Sequence, residues 1–212
     1  MTKIHGEPNV KTLEILKNLP RGIQKHLQER SYQLIQIKGD GHCLFRSLAH
    51  GLNMFLSPSQ PAHLKVRKEI CAEGLARALF YSNLATYYLP QEGPAAFQDR
   101  MMKVQKVQDS KGPVWGNNVE IIIATHLYNV DIYKLCFIPA TGKEYYQVFA
   151  ARGGGRRADR FLVLLYDISV PGAEHFSLLH SQERPKLKQG TPIRCYEEQI
   201  DGTGKFTTVR AL

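Results

Sequence analysis

The chain has 212 residues, of which 43% are hydrophobic and 22% charged, a balance typical of a folded domain and not of a disordered chain. This length allows one well-buried core with residues left over at each end. No apolar run approaches the roughly 18 residues that a membrane-spanning helix needs, and the first residues lack the apolar segment of a secretory signal. We therefore expect a protein that works in a cytosol, or in a host cytosol if a pathogen delivers it.

The net charge of +9, from 28 basic and 19 acidic residues, raises the possibility of a nucleic-acid partner. The basic residues are spread along the chain, however, and the densest run, at residues 152–157, is short and contains no aromatic residue that could stack on bases. We expect this run to be a solvated loop. The charge therefore does not favour nucleic acid as the partner.

Four cysteines lie at positions 43, 71, 136 and 195, without a Cys-x-x-Cys pair. This spacing is typical neither of a zinc site nor of a dense disulfide framework. We expect reduced thiols, of which at least one is available for chemistry, and no metal.

Apolar residues at helical spacing predict a series of helices in the first part of the chain, at residues 9–30 (interrupted at Pro20), 43–52, 63–80, 97–107 and 117–127. Asn117 or Asn118 can cap the last of them. Runs rich in β-branched and aromatic residues predict strands at 32–37, 130–138, 145–150, 161–166, 176–179 and 193–196. Helices followed by strands indicate an α+β fold, with helices packed on one sheet.

Residues 38–42 are predicted to form a turn with two glycines that leads into a helix starting at or near Cys43. The unpaired N–H groups and the dipole at a helix N-terminus favour a thiolate, which is a far better nucleophile than a thiol. Gly39 and Gly41 let the backbone turn sharply, and N–H groups at Gly41 and His42 can point at an oxyanion. The segment predicts a nucleophilic cysteine, although a cysteine at this place is also a common small buried residue.

The run at residues 39–48, GDGHCLFRSL, resembles the signature of the OTU (ovarian tumour) family of deubiquitinating cysteine proteases. Residues 114–121 with the strand that follows, and residues 172–179, resemble two further segments of the family in order and spacing. The resemblance covers about residues 31–182 and implies a papain-like OTU fold with helices around a small, mostly antiparallel sheet. It leaves residues 1–30 as an N-terminal helical extension and 183–212 as a basic C-terminal tail.

Eight histidines compete as the general base that must reach Cys43. The side chain of His42 is expected to diverge from its sequence neighbour, His50 lies two turns along the helix, and His126 is expected on the surface or in packing. His175 opens an apolar strand, from which a sheet can hold an imidazole over a helix end. The resemblance assigns the base to His175, with His180 as the second choice.

The sequence offers several candidates for the third residue of the site. The resemblance places Asp40 in the active site, but this aspartate can also cap the helix or brace the turn. Many members of the family carry Asn or Asp two residues after the histidine, where this chain has Ser177, a possible partner for the imidazole. Asp167 and Glu174 also stay open.

The resemblance implies a hydrolase that cleaves the isopeptide bond after the C-terminal glycine of ubiquitin, with ubiquitin or polyubiquitin chains as partners and no cofactor. Trp115 then forms either a wall of a narrow channel or part of the core. The alternatives are an inactive ubiquitin-binding module, a protease of the same fold acting on a ubiquitin-like modifier or a viral polyprotein, and a nucleic-acid binder.

Overall fold

The computed structural model describes residues 19, 21–53, 61–88, 93–106, 115–138, 143–151, 157–167 and 175–210. Within these residues the chain forms helices and one mixed sheet, which confirms the predicted α+β class. The helices are α1 (Arg21–Glu29), α2 (Cys43–Gly51), α3 (Ala62–Ala76), α4 (Ala78–Ala85), α5 (Pro94–Gln105) and α6 (Asn118–Tyr128). No helix in the described part of the chain is long and apolar enough to cross a lipid bilayer.

The sheet has seven strands, which are β1 (Gln33–Ile35), β2 (Val130–Ile138), β3 (Lys143–Phe149), β4 (Arg160–Asp167), β5 (His175–His180), β6 (Pro192–Glu198) and β7 (Gly204–Arg210). They lie in the order β1-β5-β4-β2-β3-β6-β7. β2 runs parallel to β4 and β3 runs parallel to β6, whereas the other pairings of described strands are antiparallel. The sheet is mostly antiparallel, as expected, but larger than the small sheet that the resemblance implies.

The two faces of the sheet bury separate hydrophobic clusters. On one face α2 to α6 pack around a cluster that includes Phe45, Ile70 and Ile123. On the other face α1 contributes Ile23 and Leu27 to a second cluster. Side chains of successive strand residues point to opposite faces, so each central strand supplies both clusters. The cysteine-bearing helix α2 therefore lies on the multi-helix face, where it contacts β5.

The helix predicted at residues 63–80 is wrong as a single element, because the structure has two helices, α3 and α4, separated at Arg77. The backbone of Arg77 leaves the helical conformation, with φ −120° and ψ 42°. Its guanidinium lies 4.4 Å from the Phe80 ring centroid and forms an ion pair with Glu198 of β6. No proline marks this break, and the residue at the break contacts a strand more than a hundred residues away.

The C-terminal residues 183–212, for which the sequence predicts a basic tail with one strand near residues 193–196, form more structure than this. They contribute two strands, β6 and β7, which join the sheet through β3. Ile193 and Cys195 are buried in the second cluster. The basic composition concealed this alternation, because a strand buried on only one side needs an apolar residue at every second position only.

Two further expectations fall on parts of the chain that the structure does not describe. Residues 1–18, which contain about half of the helix expected at residues 9–30, lie outside the described residues. The same holds for residues 152–156, within the basic run expected to be a solvated loop. Both expectations stay predictions.

The N-terminus of α6 has a complete capping box beside the cysteine helix. The Asn117 side chain accepts the Val119 N–H at 2.8 Å, and the Glu120 carboxylate accepts the Asn117 N–H at 2.7 Å. Glu120 is fully buried and pairs with Arg100 of α5 at 2.5 Å. The prediction that Asn117 or Asn118 caps this helix is confirmed for Asn117. The cap fixes the backbone of residues 115–117, which pack against α2.

Candidate active site

The turn before α2 places Cys43 as the first residue of the helix. Gly41 has φ +77°, a conformation that a residue with a Cβ adopts only at a cost. A Cβ at Gly39, in contrast, would make ordinary contacts of 3.7 Å with the His175 ring. Gly41 is therefore the glycine that this turn requires.

Asp40 holds the turn together. Its carboxylate accepts the backbone N–H of His42 at 3.2 Å and two hydrogen bonds from Arg46, at 3.2 and 2.7 Å. Lys38 lies 3.7 Å from the same carboxylate. Burial opposes ionisation of Asp40, but the hydrogen bonds from Arg46 and His42 outweigh it and lower the pKa to about 2. The aspartate is thus ionised and braces the turn, one of the three roles that the sequence left open.

Two hydrogen bonds join α2 to the strand that carries His175. The Cys43 Sγ accepts the backbone N–H of Phe176 at 3.5 Å, and the Ser47 hydroxyl donates to the Phe176 carbonyl at 3.4 Å. β1 pairs with residues 178–180 of β5, so Phe176 lies outside the part of β5 that pairs with β1. The structure therefore brings the predicted nucleophile against the residue that directly follows the predicted base.

His175 is half-buried beside the glycine turn. A Cβ built on Gly39 would lie 3.7 Å from the His175 Nδ1, which shows that the ring lies against this turn. Burial lowers the pKa of His175, and a hydrogen bond to the Ile37 carbonyl, with the charges of Asp167 and Asp40, partly offsets this effect. A hydrogen bond that stabilises the imidazolium has the ring N–H as donor and the carbonyl as acceptor.

Burial raises the pKa of the Cys43 thiol, although the N–H groups of Phe176, Leu44 and Cys43 itself act in the opposite direction. The expected effect of the helix N-terminus is present, but the loss of water around the sulfur outweighs it. Since the pKa of His175 is lowered and that of Cys43 is raised, the free site favours a neutral thiol and a neutral imidazole. A neutral imidazole is the form that can accept a proton.

His42 points away from the sulfur, as the sequence indicated. Its Nδ1 lies 3.0 Å from a guanidinium nitrogen of the buried Arg67, and its ring packs edge-on against His63, with centroids 5.2 Å apart. Arg46 in turn lies 3.2 Å from the His63 Nδ1. Because a guanidinium can only donate, both imidazoles accept these bonds. The His42 N–H, one of the two oxyanion donors predicted in this turn, already donates to Asp40, which leaves the N–H groups of Gly41 and Cys43 as the candidate donors.

Three residues around the turn were not predicted from the sequence: Arg46, His63 and Arg67. Arg46 lies within the run at residues 39–48, six residues after Asp40. This spacing covers the glycine turn and the first turn of α2, so it could have indicated a pair between the two side chains. His63 and Arg67 lie on α3, and no local pattern marks them. Only the packing of α3 against α2 brings them to this turn.

The remaining described histidines have other surroundings. His126 packs against the aromatic rings of Phe80, Tyr81 and Tyr196, in agreement with a packing role. His50 and His180 are exposed at the far ends of α2 and β5. Of the three described histidines at the turn that carries Cys43, His42 and His63 accept hydrogen bonds from arginines, which leaves His175 as the candidate base.

Two of the open candidates for the third residue lie close to His175 on the sheet. Ser177 is buried and lies two residues along β5, on the same face. Asp167 is the last residue of β4 and pairs directly with His175 in the antiparallel register. Glu174 and the turn before it, at residues 171–172, lie outside the described residues.

The segment before α6 packs closely on the cysteine helix. A Cβ on Gly116 would lie 2.6 Å from the Leu44 Cδ2 and 3.3 Å from the Phe45 ring. Only a glycine allows this approach without displacing the core beneath Cys43. The neighbouring Trp115 has 42% of its surface exposed, so it is not a core residue.

The sequence matches no family model and no curated protein. Among solved structures, the OTU domain of OTUD1 is similar, with a TM-score of 0.54 at 15% identity over 76% of this chain and 93% of that one. The chain has the fold of an OTU domain. The Hazara virus OTU bound to ubiquitin gives a TM-score of 0.45 at 17% identity, over 72% of this chain and 83% of that one. An OTU deubiquitinase from Wolbachia pipientis wMel bound to ubiquitin gives 0.43 at 16% identity, over 71% and 96%.

Proposed function

We propose that this chain is a cysteine-dependent deubiquitinase, in which Cys43 is the nucleophile and His175 is the general base. The observation that carries the proposal is the bond between the Cys43 Sγ and the N–H of Phe176, because it holds the sulfur at the end of the strand that starts with His175. The OTU fold and the resemblance of residues 39–48 to the family signature support ubiquitin as the substrate class.

In the first half of the reaction His175 accepts the thiol proton as the sulfur attacks the carbonyl carbon of the last glycine of ubiquitin. A C–S bond forms and the carbonyl oxygen becomes an oxyanion, for which the N–H groups of Gly41 and Cys43 are our candidate donors. The C–N bond then breaks, and the imidazolium gives its proton to the departing lysine amine.

In the second half His175 takes a proton from water, which attacks the thioester. The C–S bond breaks, ubiquitin leaves with a free carboxylate, and the proton returns to the sulfur. These steps need no oxidant, metal or organic cofactor, so we expect turnover to survive a chelator and to be abolished by thiol alkylation. Trp115, which is exposed on the segment against α2, is our candidate for a wall of the channel that admits the two terminal glycines.

The test is a ubiquitin probe with a C-terminal electrophile, together with a panel of the eight di-ubiquitin linkages. Labelling and cleavage are expected for the wild type and are expected to be lost in Cys43→Ala. Cys71→Ala is a matched control, since Cys71 is a free thiol that is fully buried in the core between helices. His175→Ala is expected to abolish turnover while ubiquitin binding remains, and activity that persisted there but vanished in His180→Ala would contradict the assignment of the base.

The same experiments separate the alternatives. Ubiquitin binding without labelling or cleavage would indicate an inactive binding module. Cysteine-dependent labelling by a ubiquitin-like probe, but not by ubiquitin, would indicate a protease for another modifier. Salt-sensitive binding to a random DNA duplex without any labelling would favour the nucleic-acid alternative.

A further inference from the structure

The end of β4 places a carboxylate beside the histidine of the site. β4 and β5 are antiparallel, and Asp167 pairs directly with His175, as Tyr166 does with Phe176 and Leu165 with Ser177. Side chains of directly opposed residues in an antiparallel pair project from the same face, with Cβ atoms about 4.5–5.5 Å apart. Both residues are partly exposed, so neither is sealed in the core.

The other carboxylate near His175 is already engaged. Asp40 accepts two hydrogen bonds from Arg46 and lies 3.7 Å from Lys38, so two cations offset its charge. Among the charges that act on His175, Asp167 contributes more than Asp40 to keeping the pKa of the imidazole from falling further. From α2, the nearby titratable group is the thiol of Cys43, whose Sγ accepts the N–H of Phe176, the residue after His175.

The hydrogen bonding of the His175 ring does not by itself supply a negative charge that could stabilise the imidazolium. One ring N–H of His175 donates to the Ile37 carbonyl, which fixes the tautomer but supplies no full charge. The other nitrogen must then be the one that accepts the Cys43 proton. In triads of this kind an acidic group stabilises the imidazolium that forms at this step. Ser177, at the place where the family often carries Asn or Asp, has only a hydroxyl.

We propose that Asp167 is the acidic positioning residue of this site: from the neighbouring strand it stabilises the His175 imidazolium, while the Ile37 carbonyl holds the ring. This inference rests on the proposed function. The role of the third residue is thereby divided: the backbone carbonyl of Ile37 orients the imidazole, and the carboxylate of Asp167 acts on it from the neighbouring strand.

The test combines kinetics with NMR titration of His175. The variants are Asp167→Asn and Asp167→Ser, which remove the charge, and Asp167→Glu, which keeps it. Asp159→Asn is the control, because Asp159 is an exposed aspartate just before the opposite end of β4. Hydrolysis of a fluorogenic ubiquitin C-terminal amide gives kcat and KM against pH, and the His175 pKa is measured in the Cys43→Ala background, where no thiol titrates at this site.

In both neutral variants we expect kcat to fall about tenfold with KM little changed, and the His175 pKa to fall by about one unit. The acid limb of the pH profile should move to lower pH with it, since the base must be neutral. Asp167→Glu should recover most of both effects, and Asp159→Asn should show neither.

The proposal is overturned if Asp167→Asn and Asp167→Ser change kcat and the His175 pKa no more than Asp159→Asn does. It is also overturned if Ser177→Ala lowers the His175 pKa and the two neutral Asp167 variants do not. Two neutral variants are measured so that loss of fold in one still leaves a result from the other. The titration needs no turnover, so an inactive wild type would contradict the proposed function while the pKa still tests Asp167.

Discussion

The two halves of the site are held by different kinds of interaction. The cysteine side, which comprises residues 39–46, is fixed by side-chain hydrogen bonds within one short segment, mainly those that Asp40 accepts from Arg46 and the His42 N–H. The histidine side, which comprises Asp167 and residues 175–177, is fixed by strand register between β4 and β5. The first half is therefore encoded locally, whereas the second depends on how two distant stretches of chain align.

The largest effect on the cysteine side should come from a residue outside it. Gly116→Ala would place a Cβ 2.6 Å from the Leu44 Cδ2, and Leu44 is buried next to Cys43. We expect a loss of about 1–3 kcal/mol in the free energy of unfolding, because overpacking a dense core costs this much. Urea denaturation measures it. Gly93→Ala is the control, since nothing lies within 4 Å of the position that its Cβ would take, and an equal loss there would contradict the packing argument.

The second test compares the two glycines of the turn. Gly41→Ala forces a residue with a Cβ into φ +77°, which costs about 1–2 kcal/mol of unfolding free energy. Gly39→Ala should cost much less, because its Cβ would make only ordinary contact with the His175 ring. We expect probe labelling of Cys43 to slow markedly in Gly41→Ala and to change little in Gly39→Ala. Equal effects of the two substitutions would show that the turn does not depend on the left-handed residue.

The third test measures the Asp40–Arg46 pair. A double-mutant cycle with Asp40→Asn and Arg46→Gln should give a coupling of about 1–2 kcal/mol at neutral pH, since the pair is charged, partly buried and joined by two hydrogen bonds. The pKa of Asp40 is about 2 in the folded chain and about 3.9 when unfolded, so the carboxylate stabilises the fold fully above about pH 4.

This stabilisation should be lost as the pH falls from about 4 to 2, because Asp40 then becomes protonated in the folded chain as well. Unfolding curves at pH 7, 4 and 2 provide the measurement. A coupling that stayed constant down to pH 2 would show that the bond between Asp40 and Arg46 does not depend on the ionised carboxylate.

The difference between the two sides also explains what the sequence could predict. The helix start at Cys43, the strand from His175 and the cap at Asn117 follow from local patterns, and the structure contains all three. The ion pair of Arg77 with Glu198 and the approach of Arg67 to His42 are contacts between segments that are separate in the sequence. Sequence periodicity carries no information about such contacts. The pairing of Asp167 with His175 belongs to this second group, because it requires the register of β4 and β5.

The smallest effect should come from Ser177, and it sharpens the comparison on the histidine side. If the Ile37 carbonyl holds the imidazole and Asp167 supplies the charge, the Ser177 hydroxyl has no role in proton transfer. Ser177→Ala should then change kcat/KM by less than about threefold and leave the acid limb of the pH profile in place, because a hydroxyl carries no charge to lose. Ser177→Asp, in contrast, adds a carboxylate two residues from His175 and should raise the pKa of the imidazole. A large loss of kcat in Ser177→Ala at unchanged unfolding free energy would assign the third role to this serine on β5 and not to Asp167 on β4.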